Sequence, residues 1–358
     1  MTTGFDAARA ETFASRLLTM MNDGALCLMT SIGHRTGLFD AMRDQPPLTS
    51  AELAARAGLN ERYVREWIGA MVTGRILEID PASSRVRLPA EHAAYLTRAA
   101  GADNIAAPAQ YIAAIGRVED DIVDCFVRGG GIGYDKFPRF HAILAEDSTA
   151  TVANTVDTHV LPLVPGLSGR LAGGIRVLDA GCGTGRTLQR LAKLFPRSRF
   201  TGMDLSTQAT AAAREESAAA GLTNIEFIAV DLSDFDRTAP PASFDLIFTF
   251  DAIHDQAWPL KVLSGIHRAL ADDGVYVMQD IKGSSHVHTD VDHPLGPFLY
   301  SISCMHCMTV SLAQGGEGVG AMWGEEMTRD YLTRAGFRSI ETRTLAHDIM
   351  NNWYVVRK

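Results

Sequence analysis

Five short apolar runs follow one another after residue 174, and longer segments of mixed polarity separate them. They cover residues 175–180, 200–204, 225–230, 244–250 and 274–280. Apolar runs of this length are typical of buried parallel strands that alternate with helices. Two later runs, 337–342 and 353–357, are predicted to form strands that pair antiparallel at the edge of a sheet. The pattern therefore predicts an α/β domain in the second half of the chain.

The first part of the chain has a helical period instead. Residues 5–42 are predicted to be helical, because their apolar positions recur near the spacing of one helix face. These positions are Phe13, Leu17, Leu18, Met21, Leu26, Cys27, Leu28 and Ile32. So many apolar side chains predict either a core helix or part of a dimer interface.

Residues 48–96 begin with two predicted helices. Thr49 or Ser50 is placed to cap the first helix, with Glu52 in the position of a capping box. The second helix is predicted over residues 61–72. Its side chains predicted to face a core are Tyr63, Val64, Trp67, Ile68 and Met71.

A short hairpin is predicted next, from residues 75–79 and 85–88, and two helices with a hairpin are typical of a winged helix. Such a domain often reads DNA. Residues 40–98, however, contain eight acidic and eight basic residues, so no positive surface is available for a phosphate backbone. We therefore expect this domain to serve dimerisation or packing.

A glycine turn follows the first apolar run of the second half. Asp179 stands near the end of the run, and Gly181, Gly183 and Gly185 lead into a helical segment. Glycine lets the backbone approach a ligand closely. A dinucleotide-binding turn would have a third glycine where this chain has Arg186, and the Asp179 carboxylate would repel a pyrophosphate. That carboxylate suits a ligand with an amine and a sulfonium, which S-adenosylmethionine has.

Residues 177–185, Val-Leu-Asp-Ala-Gly-Cys-Gly-Thr-Gly, closely resemble the first motif of class I S-adenosylmethionine-dependent methyltransferases. The resemblance implies a Rossmann-like sheet of seven strands and S-adenosyl-L-homocysteine as the product. Asp204, at the end of the second strand, can accept hydrogen bonds from both ribose hydroxyls. The resemblance further implies that a polar residue at Asp231 holds the adenine amino group. The predicted cofactor-binding residues are Asp179, Gly181, Gly183, Gly185, Asp204, Leu205, Asp231, Leu232, Phe250 and Tyr134.

Tyr134 belongs to this set for a different reason. It follows a glycine-rich hinge, residues 129–133, within a segment that is otherwise predicted to be helical. An aromatic face near a sulfonium is favourable, so Tyr134 or Phe137 is predicted to close over the cofactor; the alternative is a loop that packs on the next domain.

A second resemblance follows the fourth strand. His254-Asp255 with a later Trp258 is similar to small-molecule O-methyltransferases that carry a winged-helix dimerisation domain. It implies that His254 is the general base for a hydroxyl acceptor, held in one tautomer by a neighbour such as Asp255. Gln256-Ala257 departs from that pattern, which leaves open that His254 only hydrogen-bonds the cofactor or caps a helix. The chain as a whole is similar to actinobacterial methyltransferases that join a winged helix to this catalytic domain.

Two other functions remain open from the sequence. An N- or S-methyltransferase would need no base of this kind. A cofactor-binding transcriptional regulator would explain the winged helix, although not its balanced charge.

The insertion at residues 282–324, after the fifth strand, is predicted to cover the methyl acceptor. His286, His306 and Trp323 are its predicted substrate-binding residues. Its Cys-Met-His-Cys string, residues 304–307, is of a kind that binds metals. A second Cys-x-x-Cys is missing, so no metal is predicted.

Composition limits the binding partners and the cellular compartment that can be expected. The chain has 358 residues and a formal net charge of -9, which argues against general nucleic-acid or anionic-membrane binding. Its five cysteines form no evenly spaced framework, which favours reduced thiols in a cytosol. The start lacks a signal-peptide pattern, and no apolar run reaches the roughly 18 residues of a membrane span. We predict a cytoplasmic homodimer that acts on a small molecule. Three parts are predicted along the chain: a helical and winged-helix dimerisation domain at 1–98, a helical linker and lid at 99–160, and a cofactor-binding domain at 161–358.

Overall fold

The computed structural model describes residues 4–358. The chain divides into two compact units, one that ends at Gly116 and one that begins at Arg117. The predicted boundaries at residues 98 and 160 stay a prediction.

A long helix opens the first unit. Helix α1 (Ala7–Arg35) is capped by Asp6, whose side chain accepts a hydrogen bond from the Arg9 N–H, and helix α2 (Leu38–Met42) follows after a turn at Gly37. Of the apolar positions predicted for this segment, six are exposed and Leu26 and Cys27 are half-buried. The six are Phe13, Leu17, Leu18, Met21, Leu28 and Ile32. The helix period was predicted correctly, but most of this face lies outside the core of the chain.

The winged helix is confirmed. Helices α3 (Ser50–Ala57) and α4 (Glu61–Thr73) precede a hairpin of β1 (Glu78–Asp80) and β2 (Arg85–Arg87). Thr49 and Glu52 form the predicted capping box at the start of α3.

The core of this unit lies between α2, α3, α4 and the hairpin. Val64, Trp67, Ile68 and Met71 are buried there as predicted, whereas Tyr63 is 80% exposed. The prediction for Tyr63 was wrong because residue 63 lies next to the buried stripe of α4 and outside it. Two further helices complete the unit, α5 (Ala90–Leu96) and α6 (Ala109–Ile115).

The second unit begins with helices and continues as an alternation of strands and helices. The opening helices are α7 (Glu119–Arg128), α8 (Phe140–Ser148) and α9 (Leu167–Gly173), with two π-helical turns at Thr149–Ala153 and Val156–Val160. The alternating part is β3 (Arg176–Ala180), α10 (Arg186–Leu194), β4 (Arg199–Asp204), α11 (Thr207–Ala219), β5 (Ile225–Ala229), α12 (Phe235–Thr238), β6 (Phe244–Phe250), α13 (Pro259–Ala269) and β7 (Leu270–Ile281).

The insertion after β7 is itself helical. It contains α14 (Gly296–Ile302), a π-helical turn at Ser303–Cys307 and α15 (Met308–Ala313). Helix α16 (Gly324–Arg334) and strands β8 (Ser339–Leu345) and β9 (Asp348–Arg357) complete the chain.

The seven strands form one sheet in the order β5-β4-β3-β6-β7-β9-β8. All neighbours are parallel except β9, which runs antiparallel to both β7 and β8. The predicted fold class is confirmed, including the antiparallel pairing of the last two strands. The strand order reverses between β3 and β6, and ligands of doubly wound sheets bind beyond the carboxyl ends of the strands at such a point.

Helices cover both faces of the sheet, because successive side chains of a strand point to opposite sides. Val177 and Phe248 pack into one core, while Leu178 and Ile247 pack into the other. In the part of the chain that the structure covers, no helix combines the length and the hydrophobicity needed to cross a bilayer.

Candidate active site

The turn between β3 and α10 requires glycine at two positions. Gly181 has φ 89°, and a Cβ there would lie 2.6 Å from the Cβ of Ala252. Gly185 has φ 70°, and a Cβ there would lie 2.2 Å from the ring of Phe227. Both positions combine a left-handed backbone with a close approach, so any side chain would push the turn away from its neighbours.

Asp204 joins the glycine turn to the end of β4. Its Oδ2 accepts a hydrogen bond from the Gly183 N–H at 2.8 Å, and its Oδ1 accepts one from the Ser206 N–H at 2.8 Å. Each carboxylate oxygen has a second lone pair. The side chain is therefore held rigidly and keeps two acceptor sites for a ligand.

Asp179 is buried in β3 beside this turn. Its Oδ1 has no hydrogen-bond partner within residues 4–358. Burial, together with the nearby Asp204 carboxylate, raises the pKa of Asp179 well above its usual range. A buried acid without a partner is costly, and a cationic ligand group would relieve that cost.

The other predicted cofactor residues differ in their surroundings. Leu205 is half-exposed beyond β4, and Leu232 lies in the core. Asp231 is exposed, and its side chain accepts a hydrogen bond from the Ser233 N–H. Phe250, at the end of β6, is half-buried and stacks on Phe248 at 5.3 Å.

His254 lies just beyond β6 and is almost fully buried. Its Nδ1 is 2.7 Å from Oδ1 of Asp280, near the end of β7. The same oxygen accepts hydrogen bonds from the Ile281 N–H at 2.9 Å and the Trp323 Nε1–H at 3.1 Å. Because a carboxylate only accepts, Nδ1 of His254 is the donor and Nε2 is left for chemistry.

Two sequence predictions change at this point. Asp280, and not Asp255, is the residue that fixes the tautomer of His254. Trp323, predicted to bind the acceptor, is 2% exposed and lies behind Asp280. Its indole N–H holds the carboxylate in place.

Asp255 faces the other side of the imidazole. Its Oδ1 is 3.3 Å from Nε2 of His254, yet the pair lacks hydrogen-bond geometry, and this oxygen has no partner among the described residues. Burial by itself would lower the pKa of His254, but the charges of Asp280 and Asp255 outweigh it and hold that pKa well above its usual range. The imidazole must therefore lose a proton before it can act as a base.

His306 lies on the Asp255 side of this cluster and is buried. Its ring stacks on Phe140 with centroids 3.5 Å apart and meets Phe137 edge-on at 4.8 Å. Burial lowers the pKa of His306 to about 4, so this imidazole is neutral at pH 7. Its Nδ1 lies 3.9 Å from Oδ2 of Asp255.

Tyr134 reaches both halves of the site. It is half-buried and meets His306 edge-on at 5.7 Å. Burial raises the pKa of Tyr134 well above its usual range, and the charges of Asp255, Cys307 and Asp204 add to the effect. The Tyr134 hydroxyl therefore lies within electrostatic reach of both Asp204 and Asp255.

His286 is placed differently from the other predicted residues. It is exposed in the loop after β7, and its ring stacks on His288 at 5.6 Å. The fold brings His306 to His254, but it leaves His286 on the surface.

Sequence reasoning missed Asp251 and Asp280 as members of the site, and it considered Cys307 only as part of a metal-binding string. Asp251 has φ 47° directly after β6, a conformation that is uncommon outside glycine, and burial raises the pKa of its carboxyl well above the usual range. The signal available for Asp251 and Asp280 was an acid at the end of an apolar strand, as at Asp204. Cys307 carried a different signal, the Cys-x-x-Cys spacing with Cys304, which was set aside because a second pair is missing.

Two family models match the chain. The Rv2258c-like winged HTH domain covers residues 24–98, and a methyltransferase domain covers residues 171–319. The second match spans the glycine turn, Asp204 and the His254 segment. Residues 171–319 therefore form a methyltransferase domain, and a winged-helix domain precedes it.

Solved structures show the same fold over nearly the whole chain. Human N-acetylserotonin methyltransferase, solved in complex with SAM, is 18% identical, with a TM-score of 0.67 over 100% of this chain and 99% of that one. Mitomycin 7-O-methyltransferase is 17% identical, with a TM-score of 0.70 over 98% and 100%. At this low sequence identity, the similarity shows a shared fold and does not extend to substrate or mechanism.

Curated relatives match over a shorter stretch. The S-adenosyl-L-methionine-dependent Diels-Alderase of Talaromyces variabilis is 27% identical over 186 residues, which cover 50% of this chain and 59% of that protein. The chain spans little more than half the length of the first relatives that it matches.

Proposed function

We propose that this methyltransferase transfers a methyl group from S-adenosyl-L-methionine to a hydroxyl of a small molecule, with His254 as the general base. The observation that carries the proposal is the hydrogen bond of 2.7 Å from His254 to Asp280. This hydrogen bond leaves Nε2 on the side of the ring that faces away from β7. His254 and the glycine turn lie at the same edge of the sheet, because both follow the carboxyl ends of parallel strands. A locked imidazole at this edge is what removal of a hydroxyl proton requires.

The residues of the glycine turn fit the cofactor. Asp204 has free acceptor sites for two ribose hydroxyls, and the unpartnered Asp179 suits the ammonium group of the methionine part. Gly181 and Gly185 leave room for close approach to the backbone. We propose Leu205, Leu232 and Phe250 as apolar walls, with Asp231 at the adenine and Tyr134 over the sulfonium.

The chemistry demands little of the protein. S-adenosylmethionine supplies an activated methyl group and leaves as S-adenosylhomocysteine. Alignment of the acceptor contributes on the order of 7–11 kcal/mol to lowering the barrier. Proton removal by His254 adds about 10²–10⁴-fold in rate. Asp255 is suited to hold the acceptor hydroxyl, and Asp280 stabilises the imidazolium that forms.

The side chains around this centre suit an apolar acceptor with one polar group. Phe137, Phe140 and Tyr134 supply aromatic surface, and His306 offers a neutral imidazole beside Asp255. Screening phenols, thiols, amines and carboxylates for transfer of a labelled methyl group tests the proposal. Transfer to amines or thiols alone would replace it with N- or S-methylation.

We also propose that two chains associate through α1 and that the winged helix binds no DNA. The exposed apolar face of α1 supports association, since such a face is costly in water. On α4, Arg62 pairs with Glu66 at 2.5 Å and Arg65 pairs with Glu61 at 2.7 Å, which leaves little free positive charge for phosphates.

The cytoplasm is the compartment that we propose for the enzyme. All five cysteines are free thiols, which suits a reducing environment.

A further inference from the structure

We propose that His254, Asp255 and Cys307 form a binding site for a zinc-like divalent cation. A ring nitrogen of His254, a carboxylate oxygen of Asp255 and Sγ of Cys307 all lie within 4.8 Å of one another, and Nε2 of His254 is 3.3 Å from Oδ1 of Asp255. His254 and Cys307 are buried, and the side chain of Asp255 is 13% exposed. Cation binding goes beyond methyl transfer and does not depend on it.

His254 is already oriented as a metal ligand. Imidazoles that bind metals donate their second ring N–H to a carboxylate or carbonyl, which fixes the tautomer and makes the free nitrogen more basic. Here Nδ1 donates to Asp280 at 2.7 Å, and Asp280 is held by the Ile281 N–H and the Trp323 indole. Nε2 is the nitrogen left for coordination, and it faces Asp255.

Unpartnered polar atoms lie on the Asp255 side of this group. Oδ1 of Asp255 lacks a hydrogen bond to any residue of the described range, and so do both ring nitrogens of His306. His306 is 1% exposed, and its Nδ1 lies 3.9 Å from Oδ2 of Asp255. Buried polar atoms without partners are rare, and a cation among them would satisfy Asp255 and give His306 the role of fourth ligand.

The donor set selects the class of cation. A cysteine sulfur, an imidazole nitrogen and a carboxylate oxygen suit zinc, whereas magnesium and calcium prefer oxygen ligands alone. A second group, Asp251, His254 and Asp280, is also compact. It carries no proposal because the hydrogen bond between Nδ1 and Asp280 already uses the imidazole on that side.

Coordination changes protonation in a defined way. The Cys307 thiol and the Nε2–H of the His254 imidazolium each lose a proton to solvent, and the cation binds the thiolate and the lone pair that is set free on Nε2. A cation there and an acceptor proton would need the same lone pair. Zinc should therefore inhibit methyl transfer, a consequence that rests on the proposed function, unlike binding itself.

Cobalt titration of the full-length protein, after removal of metals with a chelator, tests the site directly. Co²⁺ bound to a thiolate in a tetrahedral site shows a near-ultraviolet charge-transfer band and intense visible bands. We expect both, at one Co²⁺ per chain, and displacement by Zn²⁺. Cys307→Ser should remove the charge-transfer band, while Cys304→Ser, three residues earlier and half-buried, should keep it.

Two more variants examine the geometry. His306→Phe keeps an aromatic ring on Phe140 but removes both nitrogens, so Zn²⁺ affinity should fall at least tenfold. Asp280→Asn should weaken Zn²⁺ binding by about 10–100-fold and leave the thiolate band in place, because it acts through His254. Circular dichroism and S-adenosylhomocysteine binding confirm that each variant is folded.

The outcomes separate the two proposals. Absence of the cobalt bands, or their persistence in folded Cys307→Ser, would overturn the cation site. Cobalt bands together with inhibition by Zn²⁺ support both proposals. Cobalt bands without inhibition would support the site and overturn His254 as the base.

Discussion

Nδ1 of His254 and Oδ1 of Asp280 lie 2.7 Å apart, where the loop after β6 meets the end of β7. The two residues are far apart in sequence, and parallel pairing of β6 with β7 brings them together. The carboxylate is completely buried and accepts two further hydrogen bonds. One contact thus fixes the tautomer on which both the proposed base and the proposed cation site depend.

Replacing Asp280 tests that contact. Asp280→Asn can donate to His254 and thereby favour the wrong tautomer, so we expect turnover to fall by about 10²–10⁴-fold with S-adenosylhomocysteine affinity unchanged. Nitrogen NMR of the His254 ring should show the tautomer change. Asp272→Asn, at an exposed carboxylate of the same strand, is the control and should retain full activity. An unaltered tautomer in Asp280→Asn would contradict the positioning role.

Removal of the imidazole tests the base itself. His254→Ala should lower turnover by about 10²–10⁴-fold and leave S-adenosylhomocysteine affinity within a few-fold, because the ring serves chemistry and not cofactor binding. Labelled methyl transfer and calorimetry measure the two effects. A collapse of cofactor affinity would make His254 a binding residue, and unchanged turnover would indicate an acceptor that needs no base.

Asp204 should supply much of the cofactor affinity. Asp204→Ala removes the acceptor of both ribose hydroxyls, so S-adenosylmethionine binding should weaken by roughly 1.5–3 kcal/mol. Asp204→Asn keeps one acceptor oxygen for the backbone N–H groups of Gly183 and Ser206 and should lose less. Calorimetry measures both, and equal affinity of wild type and Asp204→Ala would rule out the assignment.

Cofactor affinity should depend on pH through Asp179. Burial and Asp204 raise the pKa of Asp179 in the free protein, and Cys182 and Tyr276 lie within electrostatic reach. A ligand ammonium favours the ionised carboxyl, so this pKa falls on binding and a proton is released. Affinity for S-adenosylhomocysteine should therefore rise with pH through the raised pKa and level off above it.

Calorimetry in buffers of different ionisation enthalpy measures that proton. The titrations should stay below the range of about 7.7–8.0 in which an α-amino group itself titrates. Asp179→Asn should release no proton and should show a flat profile. A proton release that persists in Asp179→Asn would assign it to another group.

The exposed face of α1 should hold two chains together. Met21→Glu places a charge on that face and should convert a dimer to a monomer at micromolar concentration, because burying an unpaired charge is costly. Asn22→Glu adds the same charge at the neighbouring exposed position and is the matched control. A wild-type monomer in light scattering would contradict the proposed association through α1.

Much of the catalytic domain could be predicted because its signals are local. Residues 244–250 form β6 with the predicted bounds, and the glycine turn lies between a strand and a helix as expected. Thr49 and Glu52 form their capping box for the same reason. Backbone conformation, caps and strand burial depend mainly on neighbouring residues, so the sequence by itself determined the elements, the fold class and the cofactor.

Only the tertiary structure decided which side chains meet. Asp280 and not Asp255 orients His254, Trp323 supports Asp280 from behind, and Cys307 lies beside His254. His306 reached the site, whereas the equally polar His286 did not. These outcomes depend on strand order and on how the insertion packs over the sheet, and both arise from the summed burial of apolar residues across the domain. No local pattern around any one of these residues contains that information.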